Sequence, residues 1–133
     1  MKNRRRKLMQ QLMKLKLSQN FDAAHCIGSH KGKCKNVHGH TWTVNVELEF
    51  IVDVFFDGGI LVDFGDIKSW INELDHKNLN EVFCREDVTA EFLTLHFIDK
   101  IKLLLVDKKY LHSIFVEVWE SPNASVSVKD IIK

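Results

Sequence analysis

From Trp42 to Asp53 the chain alternates: Trp42, Val44, Val46, Leu48, Phe50 and Val52 share one parity, and Thr43, Asn45, Glu47, Glu49 and Asp53 the other. Successive side chains of an extended chain point to opposite faces. The run is therefore a long strand with one buried face, and it commits the chain to a sheet. Met13-Lys14-Leu15-Lys16-Leu17, continuing to Phe21, repeats the pattern more weakly, and Ile114 to Trp119 repeats it strongly. Ser121-Pro122-Asn123 is a turn leading to a short partner strand over Ala124 to Val128. Asp57-Gly58-Gly59 reads as another turn, returning Ile60-Leu61-Val62 as a hairpin partner of the long strand.

Two segments switch to helical spacing. After Asp63, a candidate N-cap, Ile67, Trp70, Ile71 and Leu74 fall at i, i+3, i+4 and i+7. After Thr89, a second candidate cap, Leu93, Phe97, Ile101 and Leu104 carry the buried stripe. Strands joined by short turns, with two helices to cover one face, predict an α+β domain with a four-stranded antiparallel sheet. The second sheet face and the exposed edges also need cover, which points to self-association.

With 133 residues, one domain is the natural reading. A formal net charge of +1 gives no overall pull toward nucleic acid or membrane. Lys2, Arg4, Arg5, Arg6 and Lys7 precede the first acidic residue, Asp22, and are read as a solvated basic extension rather than a nucleic-acid arm. The expected division is an extension over 1–12 and a single domain over 13–133. No apolar stretch approaches the roughly 20 residues of a membrane span. No leader pattern is seen, and three cysteines without a dense framework suit a reducing cytoplasm.

The chemistry concentrates in one window. His38 and His40 flank Gly39 and share a strand face, and His25 lies upstream. Three imidazoles with an open fourth position are the donor set of catalytic zinc. Cys34, among Lys31, Lys33 and Lys35, is either a fourth ligand or a reacting thiol. Asp75-His76 reads either as a helix C-terminus with a favourably placed His or as a proton-transfer dyad. Glu120 is either an ordinary strand-end acid or an anchor whose carboxylate takes two parallel N–H bonds from a flat heterocycle such as a pterin. His30, His96 and His112 read as surface or satisfied core residues, and Cys26 and Cys84 as ordinary buried or half-buried thiols.

Six blocks in order carry a family resemblance: Phe21-Asp22-Ala23-Ala24-His25, Cys34-Lys35-Asn36-Val37-His38-Gly39-His40, Gly59-Ile60-Leu61-Val62-Asp63-Phe64, Leu74-Asp75-His76-Lys77-Asn78-Leu79-Asn80, Val88-Thr89-Ala90-Glu91 and Val118-Trp119-Glu120-Ser121. The chain after its basic extension resembles the 6-pyruvoyl- and 6-carboxytetrahydropterin synthase family. The resemblance implies the tunnelling fold, assembled around a central barrel, commonly as two stacked trimers with active sites between subunits. It implies zinc on His25, His38 and His40, Cys34 as the proton-abstracting base assisted by Asp75 and His76, Glu120 as the pterin anchor, and Thr89 nearby. The implied substrate is 7,8-dihydroneopterin triphosphate. Three residues separate Cys34 from His38. That spacing resembles the bacterial carboxytetrahydropterin synthases of queuosine biosynthesis, whereas the pyruvoyl enzymes usually have a longer gap. Val88 and Phe92 depart from the family, which often has Pro at the first position and Asn or a small aliphatic at the second. A structural zinc module closed by Cys34 is the alternative of another class.

Overall fold

A computed structural model describes residues 9–132. The run Lys2 to Lys7 lies outside the described residues. Strand β1 (Gln11–His25) begins two residues inside the expected extension and continues four residues beyond Phe21. Strand β2 (His38–Val52) pairs antiparallel with β1 over its whole length, from Gln11 against Val52 to His25 against His38. The strand expected to continue to Phe21 runs on to His25, its last residue, directly opposite His38.

Helix α1 (Phe64–Asn72) starts at Asp63, whose carboxylate accepts the Gly65 N–H at 2.8 Å. Strand β3 (Lys77–Asn78) pairs parallel with Ala23 and Ala24. Helix α2 (Leu79–Phe83) is short and was not expected. Helix α3 (Ala90–Leu105) starts at Thr89, whose hydroxyl accepts the Phe92 N–H at 3.0 Å. Strands β4 (Leu111–Ser121) and β5 (Ala124–Ile131) complete a five-stranded sheet in the order β3-β1-β2-β4-β5. The expected fourfold sheet gains its fifth strand from the two residues of β3.

Ile60-Leu61-Val62 forms no strand. Both edges of β2 are already taken, by β1 and by β4, so β2 offers it no edge for a hairpin. The stripe of α3 is also displaced: Leu93, Phe97, Ile98, Ile101 and Leu105 are buried, while Leu104 is 38 % exposed.

One sheet face carries the core. Phe21, Trp42, Val44, Val46, Leu48 and Phe50 meet the buried residues of α1 and α3. Among the described residues no helix lies on the opposite face. It carries cross-strand polar pairs such as Lys16 with Glu47 (3.2 Å) and Asn45 with Glu117 (3.1 Å). The outer edges of β5 and of residues 11–22 of β1 have no neighbouring strand among the described residues.

Candidate metal centre and active site

The β1–β2 register explains the histidine cluster. His25 pairs with His38 and Ala23 with His40, so all three imidazoles leave the sheet on one face, that of Trp42 and Phe21. Glu120 leaves β4 beside them. Ring centroids are 4.6 Å apart for His25 and His38, 4.8 Å for His38 and His40, and 5.2 Å for His25 and His40. Trp42 floors the cluster edge-on, 4.8 Å from His25 and 5.4 Å from His40, and is itself fully buried. Its indole N–H donates to the Ala23 carbonyl at 3.2 Å.

Hydrogen bonds fix which nitrogen each ring presents. His25 Nδ1–H donates to the Val88 carbonyl at 2.7 Å, and His38 Nδ1–H donates to the Asn36 carbonyl at 2.7 Å. Each ring then turns its Nε2 lone pair inward. Metal-binding histidines characteristically use the second nitrogen in this way. The buried Nε2 atoms of His25 and His40 have no hydrogen-bond partner among the described residues. An orphaned buried nitrogen is costly unless something occupies its lone pair. Burial also pushes the His25 pKa below its ordinary value, favouring the neutral ring that a metal requires.

One ligand atom from each of His25, His38, His40 and Glu120 lies within 4.8 Å of the others, so these residues can hold a metal ion. Glu120 Oε1 is 3.0 Å from His40 Nε2 and 3.7 Å from His25 Nε2. Reading the sequence alone placed no carboxylate beside the three imidazoles. The signal that finds it is parity: Trp119 pairs with Thr43 on the polar face, which turns its successor to the histidine side. Cys34 is not in this group. It is half-buried in a 3₁₀ turn, Lys33–Lys35, and its carbonyl accepts the Ile27 N–H at 2.7 Å.

The Asp75–His76 pair lies past the end of α1, in the turn before β3, and not on the helix terminus. His76 has φ 59°, a left-handed conformation that side chains beyond Gly seldom adopt. The backbone of β1 holds it there. His76 N–H donates to the Asp22 carbonyl at 2.6 Å, and Asp22 N–H donates to Asp75 Oδ1 at 2.8 Å. The other Asp75 oxygen accepts from His76 Nδ1 at 2.8 Å. The Asp22 amide first, then the His76 ring, keep the Asp75 carboxyl below the usual carboxylate range.

Two hollows open beside the cluster. One, of about 700 Å³, is bordered by His40, Thr43, Trp119, Glu120 and Ser121. The other, of about 600 Å³, joins His40 to Asp22, His76 and Lys77. Both volumes are in the range of small-molecule sites. Gly39 lines both, and a Cβ there would meet nothing within 4 Å. Neither a positive φ nor a close neighbour requires glycine there.

The other expected residues fall outside. Thr89 caps α3 beside Val88, with its hydroxyl proton still free to donate. His30 Nδ1 accepts the Gly32 N–H at 2.8 Å. His96 packs among Phe83, Phe92 and Phe97. His112 keeps a buried Nδ1 with no partner among the described residues, so it is not a satisfied core histidine. Cys26 is half-buried as expected, whereas Cys84 is exposed in the left-handed residue that ends α2.

The family model described as 6-pyruvoyl tetrahydropterin synthase matches residues 14–130. The chain belongs to this family. A protein of Archaeoglobus fulgidus, provisionally named 6-carboxy-5,6,7,8-tetrahydropterin synthase, is 37% identical over 97 residues, 70% of this chain and 79% of that protein. The 6-pyruvoyl tetrahydrobiopterin synthase of Drosophila melanogaster is 30% identical over 106 residues, 74% of this chain and 62% of that one. The structure of Caenorhabditis elegans 6-pyruvoyl tetrahydropterin synthase superposes with a TM-score of 0.70 at 25% identity, covering 92% of this chain and 98% of that one. The tunnelling fold and membership of a family of pterin lyases follow. No helix among the described residues is long and apolar enough to cross a membrane.

Proposed function

We propose that the chain is a zinc-dependent 6-carboxy-5,6,7,8-tetrahydropterin synthase. It would convert 7,8-dihydroneopterin triphosphate and water to the carboxypterin, acetaldehyde and triphosphate, in queuosine precursor synthesis. The observation that carries this reading is the cluster of three imidazoles with inward Nε2 atoms, beside a hollow and separate from Cys34. Zinc suits three neutral imidazoles, and an open coordination position distinguishes a catalytic from a structural site. Held there, zinc would supply Lewis acidity at the hydroxyls of the substrate's three-carbon side chain.

The protein's own groups do the rest. Cys34 takes the substrate C–H proton as the general base. His76, oriented by Asp75, passes protons to and from the side-chain oxygens across the hollow it shares with His40. Glu120 anchors the pterin through paired N–H bonds, and the Thr89 hydroxyl supplies a further contact.

The carboxy branch is favoured by the three-residue gap between Cys34 and His38 and by the name of the Archaeoglobus relative. The pyruvoyl branch, which ends at triphosphate elimination, is the second reading, supported by the Drosophila and Caenorhabditis relatives. A structural zinc module is disfavoured because Cys34 is outside the ligand group. We read a single catalytic domain in the cytoplasm, preceded by a basic extension that stops before β1 at Gln11. The two open sheet edges and the helix-free polar face support self-association, and assembly as two stacked trimers is what membership of the family implies.

Mass analysis of products from dihydroneopterin triphosphate tests the reading. Carboxypterin with acetaldehyde is the expected result. A pyruvoyl product moves the chain to the second branch, and no turnover by the zinc-loaded protein overturns the enzyme reading.

A further inference from the structure

His25 is held at two points that belong to different parts of the chain. Its backbone ends β1, while its Nδ1–H is bound by the carbonyl of Val88, 63 residues later. The direction of its Nε2 lone pair therefore depends on how firmly the end of β1 and the segment 85–88 are fixed to each other.

A third element fixes them. Asn80, on α2, directs its carboxamide into the gap between the two segments. Its Oδ1 accepts the Cys26 N–H at 2.8 Å. Its Nδ2 donates to the carbonyls of Cys26 (2.9 Å), Arg85 (3.0 Å) and Glu86 (2.9 Å). Cys26 follows the ligand His25, and Glu86 stands two residues before Val88. One oxygen facing an N–H and one nitrogen facing three carbonyls also decide the amide's orientation. Backbone bonds join the same segments more loosely, Val88 N–H reaching the Cys26 carbonyl at 3.4 Å and Gly28 N–H the Glu86 carbonyl at 3.2 Å, and farther from His25 the Asp87 carboxylate accepts the Ser29 N–H at 2.9 Å and the Ser29 hydroxyl.

We infer that Asn80 is a positioning residue of the metal centre: its carboxamide sets the separation between the His25 backbone and the Val88 carbonyl, and with it the aim of His25 Nε2. The inference rests on reading His25, His38 and His40 as a metal site. It adds a residue that touches neither metal nor substrate. Outer partners of metal-binding histidines typically control affinity by about 10- to 100-fold.

The test uses the full chain. Asn80→Asp keeps the side chain's size but sets an oxygen against three carbonyls, and Asn80→Ala removes every contact. Asp63→Ala, which uncaps α1, is the control for a general loss of stability. Zinc affinity is measured by competition with a chromophoric chelator, and the His25 Nδ1–H is followed by NMR in the metal-free protein. The expected result is zinc binding weakened about 10- to 100-fold in both folded Asn80 variants. Asp63→Ala should bind zinc as the unaltered protein does, at comparable thermal stability. The His25 Nδ1–H of the unaltered protein should exchange slowly with solvent, and faster in the variants. Unchanged zinc affinity in a folded Asn80 variant overturns the inference, as does a fast-exchanging Nδ1–H in the unaltered protein should neither variant fold. Failure of the unaltered protein to bind zinc overturns the metal site itself, and the inference with it.

Discussion

Glu49 is a carboxylate placed where its contribution to stability can be worked out. It lies on the helix-free face of β2 and is only 7 % exposed. Lys129 Nζ approaches its Oε1 to 2.7 Å and the Ser113 hydroxyl donates to the same oxygen at 2.6 Å. These contacts, Lys129 first, lower its pKa from 4.5 to about 2. Each tenfold change in acidity is worth about 1.4 kcal/mol, so the upper bound is about 3 kcal/mol. Lys129 is 48 % exposed, and solvent screening of such a partner reduces the figure to about 2 kcal/mol. Because the folded pKa is the lower one, the unfolded chain takes up the proton first as pH falls. The stabilisation is complete well above pH 4.5, declines below it, and is lost near pH 2. Glu49→Gln keeps the shape and an acceptor for Ser113 but removes the charge. Urea unfolding of the metal-free protein at fixed protein concentration should show a loss of about 2 kcal/mol at pH 7. That deficit should shrink as pH falls below 4.5 and close only near pH 2. Zinc affinity at pH 7 should be unchanged, since nine residues of strand, roughly 30 Å, separate Glu49 from His40. A deficit that stays constant from pH 7 to 3 would refute the reasoning, because it would trace to packing and not to charge.

Cys34→Ala should retain stoichiometric zinc and lose turnover by about 10²- to 10⁴-fold, as expected for removal of a general base; loss of zinc would make Cys34 a ligand. His38→Ala should release the metal, measured by elemental analysis after chelator dialysis, and a full metal complement would remove His38 from the site. Asp75→Asn should lower kcat by roughly tenfold with little change in KM, since the amide keeps the shape but not the charge that orients His76. Any stabilisation from the Asp75 charge is present above the ordinary carboxylate pKa and fades as pH falls through the lowered folded value. An unchanged kcat would leave the dyad with a structural role only.

Sequence periodicity carried the fold as far as local pattern can. The parity of Trp42 to Val52 was legible because one face is buried and the other is not, and the Asp63 and Thr89 caps because a side-chain oxygen at that position has one dominant use. What failed depends on distant partners. Ile60-Leu61-Val62 looks like a strand, but strand formation needs a free edge and β2 had none. The two residues of β3 and the short α2 carry too little pattern to be read. The site divided in the same way. His38 and His40 were visible from their spacing, but their relation to His25 depends on the β1–β2 register. Asn36, Val88 and Asn80 act through carbonyls or an amide joined across as many as 63 residues, and no spacing rule announces such partners. Val88 stands where the family often has Pro, and its N–H makes a bond to Cys26 that Pro could not make.

Glu120 brings the metal and the substrate readings into direct competition. Its Oε1 stands 3.0 Å from His40 Nε2, inside the ligand group, and the residue also borders the larger hollow. Coordination needs one oxygen turned to the three imidazoles. Pterin anchoring needs both oxygens turned to adjacent N–H groups of the ring. The same two oxygens cannot do both at once, so the carboxylate must face one partner in the working enzyme. Glu120→Gln separates the two, because a carboxamide cannot accept both N–H bonds and binds a dication poorly. Charge-assisted hydrogen bonds of this kind contribute about 1.5–3 kcal/mol. The anchoring role therefore predicts pterin affinity weakened roughly 10- to 100-fold by calorimetric titration, with the zinc dissociation constant within about threefold of the unaltered protein. The opposite pattern, zinc weakened more than tenfold and pterin unaffected, would make Glu120 the fourth ligand. It would then fill the position that a substrate oxygen needs, and a closed tetrahedral site is the signature of structural zinc.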